Sequence, residues 1–176
     1  MTQNDTIIEG LTGRLPFLVS GIIFFLANTI CFQIRGFLHT ELNVIDGNQF
    51  TQIIIGWLVI VLLIAPLMHT LSHALAIRLA GKPLRWFRTW WYPRVRPATT
   101  VSRPEALRIL LAPVALSMIL LILLIIPVVS GAFVVWSSVN IALSANDIWK
   151  AIGLMRISPK ARLSMETDHL RVEGSA

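Results

Sequence analysis

No charged side chain interrupts the chain between Arg14 and Arg35. An apolar run of that length matches the roughly 20 helical residues, about 30 Å, that a bilayer core requires. Three further stretches extend the pattern. The second begins near Ile53, stays apolar to Met68 and continues through His69 and His73 to Arg78. The third runs from about Ile109 to Val129, and the fourth from about Ala132 to Met155, interrupted by Asp147 and Lys150. Pro127, Ser130 and Gly131 predict a tight turn between the last two. Composition agrees: 55% of the residues are hydrophobic and 14% charged, where soluble domains carry about 25% charged. Mean hydropathy is +0.72. The expected fold is all-α, a polytopic membrane helical bundle of about four transmembrane helices with a cytoplasmic interfacial loop. It forms one integral membrane domain over residues 1–176, with spans at about 15–34, 53–79, 109–129 and 132–156.

The formal net charge of +6 is distributed as a topology signal. Lys82, Arg85, Arg88, Arg94, Arg96 and Arg103 crowd the loop over residues 82–104, without an acid before Glu105. The loop between the first two stretches holds Glu41 and Asp46 and no Lys or Arg. The positive-inside rule therefore predicts that the basic loop faces the cytoplasm. Four crossings put both termini there too, in agreement with Lys160 and Arg162 in a tail over residues 158–176. The expected location is the cell (inner or plasma) membrane, multi-pass, with the lipid bilayer as partner. Trp86, Trp90, Trp91 and Tyr92 suit the headgroup level, so the loop is expected to lie on the membrane surface, partly as a hairpin around Pro93 and Pro97. The same reading leaves no role for nucleic acid. Cys31 is the single cysteine, so no intramolecular disulfide is expected. The first fourteen residues carry Asp5, Glu9 and Arg14 and no apolar core with a cleavage site, so no removable signal peptide is expected.

Ionisable groups inside apolar spans are costly and mark functional sites. His69 and His73 lie four residues apart and share one face of a helix. That spacing lets two imidazoles meet on one zinc ion, and Asp147 is the carboxylate available within a span as a third ligand. His73 stands five residues before Arg78, and Asp147 three before Lys150. Two helices running toward the same membrane face would therefore hold these groups at similar depth. The same residues also admit a plainer role: an interhelical hydrogen-bonding pair of histidines, with Asp147 paired to Lys150 or capping a helix with Asn146. Asn28, Gln33 and Asn140 read as helix-packing groups. Pro66 should kink or break the second span, and Pro113 disturb the third.

The blocks MHTLSHALAIRLAGKP, RILLAPVALS, SANDIWKAIGLMRISPKARL and DHLRVEG resemble the putative zincin peptidase family of small multi-pass membrane proteins, over about residues 50–174. The resemblance implies His69, His73 and Asp147 as metal ligands and zinc as the cofactor, in a layout similar to the site-2 protease class of intramembrane metalloproteases. Two His and one carboxylate suit zinc and non-haem iron alike. One position departs from the family pattern. Thr70 stands where the His-Glu-x-x-His motif has its glutamate, which takes a proton from the attacking water and passes it to the leaving amine. A Thr hydroxyl does not ionise near neutral pH, and losing a general base costs about 10²–10⁴-fold in rate. Among the other acids, Glu41 falls on the opposite side, and Glu105 and Glu166 fall outside the spans. The expected function is a membrane-embedded zincin-like metalloprotease homologue that binds zinc without the catalytic glutamate. As a pseudoprotease it would bind or regulate a membrane protein. The alternatives are an active intramembrane zinc metallopeptidase with an atypical base, such as Glu105, and a non-enzymatic accessory subunit.

Overall fold

Residues 7–9, 15–38, 55–56, 58–88, 93–120, 122, 127–166 and 169–173 are described by the computed structural model of the chain. The short strand β1 (Ile7–Glu9) precedes the long helix α1 (Leu15–Leu38). A π-helical turn (Ile60–Ile64) leads directly into α2 (Ala65–Leu79). The cause is Pro66, which has no N–H to give to the carbonyl four residues back. The preceding turn widens to an i→i+5 bond, from the Ala65 N–H to the Ile60 carbonyl. The expected break at Pro66 is therefore a local widening, and the axis continues as one apolar helix from Ile60 to Leu79. The helix α2 ends in a Schellman motif: Gly81 takes a left-handed φ of 68°, Gly81 N–H donates to the Arg78 carbonyl and Lys82 N–H to Ile77.

The basic loop that follows is largely β-structure. Strands β2 (Leu84–Arg88) and β3 (Pro93–Pro97) pair antiparallel as a two-stranded sheet, with Phe87 opposite Arg94 and Arg85 opposite Arg96. Trp86 is exposed on it, while Trp90, Trp91 and Tyr92 lie outside the described residues. Next come β4 (Val101–Ser102), α3 (Arg103–Leu120), α4 (Pro127–Leu143), α5 (Ala145–Leu154), β5 (Arg162–Met165) and β6 (His169–Glu173). Strands β1, β6, β5 and β4, in that order, form a four-stranded antiparallel sheet. The segments RLSM and HLRVE alternate polar and apolar residues, the period of a half-buried strand. Leu163 and Leu170 accordingly turn into the core while Arg162 and Arg171 face outward.

These elements correct the expectation of an all-α polytopic bundle. The described residues contain five helices and two antiparallel sheets, and one helix, Ile60–Leu79, is long and apolar enough to cross a membrane. Shorter apolar helices cover Leu18–Ile30 and Phe133–Leu143. Described residues of the apolar stretch at 109–129 fall in α3, which starts earlier, at Arg103, and ends at Leu120, and at the start of α4 from Pro127. The stretch at 132–156 is broken at Ser144 into α4 and the ten-residue α5. Pro127, Ser130 and Gly131, expected in a turn, are helical at the start of α4. A count of apolar residues cannot see these breaks. It registers hydrophobicity, which a core between helices and sheet absorbs as readily as lipid does.

One core lies where α2, α3 and α5 meet the four-stranded sheet, around Ile77, Ile109, Leu154, Leu163 and Leu170. Ile8 of β1 packs so closely over α5 that a Cβ on Gly153 would stand 2.7 Å from its side chain. A second core, around Ala65, Trp136 and Val139, joins α2 to α4. The start of α3 is fixed by a capping box, Ser-Arg-Pro-Glu. The Ser102 N–H donates to Glu105 Oε2 at 2.7 Å and its hydroxyl at 3.0 Å, and Lys82 stands 3.5 Å from the same carboxylate. The Ser102 N–H, with the hydroxyl and Lys82 adding to it, holds the Glu105 carboxyl below its usual range.

Because the folded state lowers this pKa, the cap stabilises the protein above the normal carboxylate range and is lost as pH falls through it. Glu105→Ala is expected to cost about 1 kcal/mol at neutral pH. In chemical unfolding curves the gap from wild type should close as the medium is acidified through the carboxylate range, and a gap that stays constant with pH would contradict the assignment.

Candidate metal centre

Helix α2 has two opposed rows. Leu63, at the end of the π-turn, and Leu67, Leu71, Leu75 and Leu79 form an outward row, with exposures from 43% at Leu71 to 80% at Leu79. The opposite row is Ala65, His69, His73 and Ile77, buried but for His73, which is partly so. The i,i+4 spacing stacks the two imidazoles one turn apart, with centroids 4.8 Å apart and planes at 83°. Asp147, in the first turn of α5, meets them. Its Oδ2 lies 3.2 Å from His73 Nε2 and 3.3 Å from His69 Nε2. The two Nε2 atoms are 3.2 Å apart. The three residues singled out in the sequence therefore converge on one point.

The far side of each ring decides what that point can be. His73 Nδ1 lies 2.7 Å from the Ile109 carbonyl, an atom that can only accept, so Nδ1 carries the proton. That carbonyl is available because Pro113, four residues on in α3, has no N–H to offer it. On the other ring, His69 Nδ1 lies 3.3 Å from Asn140 Oδ1. The Asn140 amide nitrogen donates to the Pro113 carbonyl at 2.8 Å and to Ser117 Oγ at 2.6 Å, which fixes its oxygen toward His69. Both imidazoles are thus set as Nδ1–H tautomers with the Nε2 lone pairs facing inward. Two such lone pairs and a carboxylate oxygen repel one another unless a cation or a proton lies among them.

The donor set fits a divalent ion, and His69, His73 and Asp147 could hold one together. Around tetrahedral zinc, with bonds of about 2.0–2.1 Å, neighbouring ligand atoms lie roughly 3.3–3.4 Å apart. The three separations here form one face of such a tetrahedron.

Thr70, at the position of the motif glutamate, is buried, and its hydroxyl donates to the Pro93 carbonyl at 2.9 Å. It tethers the first residue of β3 to α2. Glu105, the acid suggested above as a substitute, is held in the α3 cap and does not line the cavity before the triad. Glu166 does line it, from the end of β5, with His169 3.4 Å away. Glu41 lies outside the described residues. Asn140, expected only to pack helices, also orients His69. Sequence reasoning missed the cavity roles of Glu166, Arg94, Arg96 and Lys150. Lys150 was visible as a charge beside Asp147, whereas Glu166, Arg94 and Arg96 carry no local signal because they arrive from elements distant in the chain.

A helical His-x-x-x-His pair completed by a later aspartate defines a zincin-like site. Residues 59–162 match the family model described as "Putative zincin peptidase", and the chain belongs to that family. The matched segment contains all three triad residues. No curated protein and no solved structure matches the chain.

The second layer predicts its own sensitivity. Asn140→Leu removes the acceptor for His69, and Pro113→Ala returns to the Ile109 carbonyl a helical N–H that competes with His73. Each is expected to weaken zinc affinity by about 10–100-fold, read by competition with a chromophoric chelator. Wild-type affinity in both variants would contradict the orienting role.

Proposed function

We propose that this protein is a membrane-embedded, zincin-like metal-binding protein. His69, His73 and Asp147 hold zinc, and the absence of a base at Thr70 turns a hydrolytic centre into a binding or regulatory one. The observation that carries this reading is the pairing of a preorganised triad, 3.2–3.3 Å on each side, with a Thr70 hydroxyl committed to a backbone carbonyl. A bound zinc would act as a Lewis acid and make water more acidic. The protein's part is to hold both tautomers through Ile109 and Asn140 and to bury the carboxylate. The resulting ligand or partner would be a membrane protein presented at the cavity.

Membrane embedding is supported by the outward leucine row. Five leucines at four-residue spacing expose an apolar stripe along a helix of spanning length, which lipid would cover. Strand β1 from the N-terminal region pairs with β6 from the C-terminal region, and β4, which follows the basic hairpin, joins the same sheet. That arrangement supports a cytoplasmic side holding the hairpin, the sheet and both terminal regions. Location in the cell membrane is part of the same proposal.

One observation favours a second reading, an active peptidase with an atypical base: Glu166 lines the cavity that Thr70 and the triad share. The two readings differ in outcome. On the first, purified protein contains one zinc per chain, His69→Ala and Asp147→Ala contain none, wild type does not cleave candidate membrane substrates, and Thr70→Glu gains activity. On the second, wild type cleaves, and His73→Ala and Glu166→Gln each abolish cleavage. Zinc retained at full stoichiometry in both ligand variants would defeat the two readings together.

A further inference from the structure

A second cavity, sharing no described lining residue with the metal cavity, is a groove of about 520 Å³ along the outer seam of α2 and α3. Two contacts show that the helices run antiparallel at this seam. Lys82, just past α2, stands 3.5 Å from Glu105 in the first turn of α3. Further back along α2, His73 meets the Ile109 carbonyl. Arg108 lies between those levels, so it lines the groove near the end of α2, with Leu79 and Ala80. Met68 and Ile119 line the opposite end.

The groove is apolar along its length and cationic at one end. Ala76 and Ala112 have short side chains and leave the space between the helices open. Ser72 also lines it, but its hydroxyl donates to the His69 carbonyl at 2.6 Å and is already used. Arg108 is exposed, and among the described residues it makes no hydrogen bond or ion pair. The dimensions are those of one lipid chain. From Leu79 back to Met68 is roughly 16 Å at about 1.5 Å per residue, and half of a bilayer's hydrocarbon core is about 15 Å. Met68 stands near the middle of the apolar helix Ile60–Leu79, so the groove has the length of a single leaflet. A cavity of about 150 Å³ holds the six carbons of benzene, which scales the groove to roughly 20 carbons.

We propose that this groove holds one acyl chain of an anionic phospholipid, from the leaflet on the side of the basic hairpin, with the lipid phosphate on Arg108. The inference rests on the membrane embedding proposed above and adds a specific lipid site to it. A guanidinium stays charged and offers its fork to two phosphate oxygens. A zwitterionic headgroup carries an ammonium that competes for the same phosphate, whereas an anionic headgroup leaves it to Arg108. An occupied groove places the lipid against the back of the helix that carries both imidazoles.

The test uses the full chain purified in dodecyl maltoside, incubated with phosphatidylglycerol or phosphatidylcholine and released from the micelle in a native mass spectrometer. One phosphatidylglycerol is expected to stay on each chain, held about tenfold better than phosphatidylcholine. Arg108→Gln, at an exposed position, should remove that preference. Ala115 is exposed within the groove, so Ala115→Trp fills it without displacing a buried side chain and should abolish retention of both lipids. Ala112→Leu, a smaller filling, should weaken it. Ile22→Trp, at an exposed apolar position on α1, should leave retention unchanged. The proposal is overturned if the wild type retains no lipid, or retains a free fatty acid in its place. It is equally overturned if Arg108→Gln keeps the preference, if Ile22→Trp loses as much lipid as Ala115→Trp, or if the groove proves to join two copies in a dimer that Ala115→Trp dissociates. Embedding is read separately, by alkaline carbonate extraction of membranes. A chain that resists extraction but holds no lipid keeps the embedding and refutes this inference, whereas a chain that is extracted yet holds phosphatidylglycerol does the reverse.

Discussion

Three electron-pair donors held 3.2–3.3 Å apart, two imidazole nitrogens and a carboxylate oxygen, repel one another unless something positive lies among them. Much of the surrounding architecture serves to hold that arrangement. The row Ala65–His69–His73–Ile77 faces the core, while Leu67, Leu71, Leu75 and Leu79 line the opposite, exposed side of α2. The break at Ser144 starts a new helix, α5, whose first turn brings Asp147 to the two imidazoles of α2. Pro113 leaves the Ile109 carbonyl for His73, and its own carbonyl anchors Asn140, which holds His69. One proline thus orients both rings. A proline inside a helix forfeits a hydrogen bond and several kcal/mol in an ordinary setting, and here the vacated acceptor is put to use.

The β-elements complete the site from the other side. The hairpin lies over the cavity, tethered by the Thr70 hydroxyl to the Pro93 carbonyl and packed on the core through Leu84 and Val95, and the four-stranded sheet supplies Met165, Glu166 and Leu170 to its rim. Position 70 therefore couples the metal-ligand helix to the strand bearing Arg94 and Arg96. A glutamate there would serve proton transfer. A threonine there fixes geometry, its hydroxyl committed to the Pro93 carbonyl.

The triad was legible in the sequence because its chemistry is local: the i,i+4 histidines need only a helix, and Asp147 was the carboxylate an apolar span could offer. A disturbance at Pro66 was legible for the same reason, although it is a π-turn in a continuous helix and not a break. The fold class was not. Apolar windows at 109–129 and 132–156 resemble spans, yet α3 buries Ile109 and Leu110 against a sheet and Ser144 divides the last stretch. The alternation in HLRVE and the Ser-Arg-Pro-Glu cap were visible signals, hidden by reading their segments as a charged tail and a loop. Glu166 and Arg96 had no such signal. Only the antiparallel return of β5 and the tether at Thr70 bring them to the cavity.

X-ray absorption at the zinc K-edge of the purified, zinc-loaded chain tests the central claim most directly. The account predicts a four-coordinate ion with two imidazoles and carboxylate oxygen at about 2.0–2.2 Å, and loss of one imidazole shell in His73→Ala. A six-coordinate ion surrounded only by oxygen, with no imidazole scattering, would contradict it.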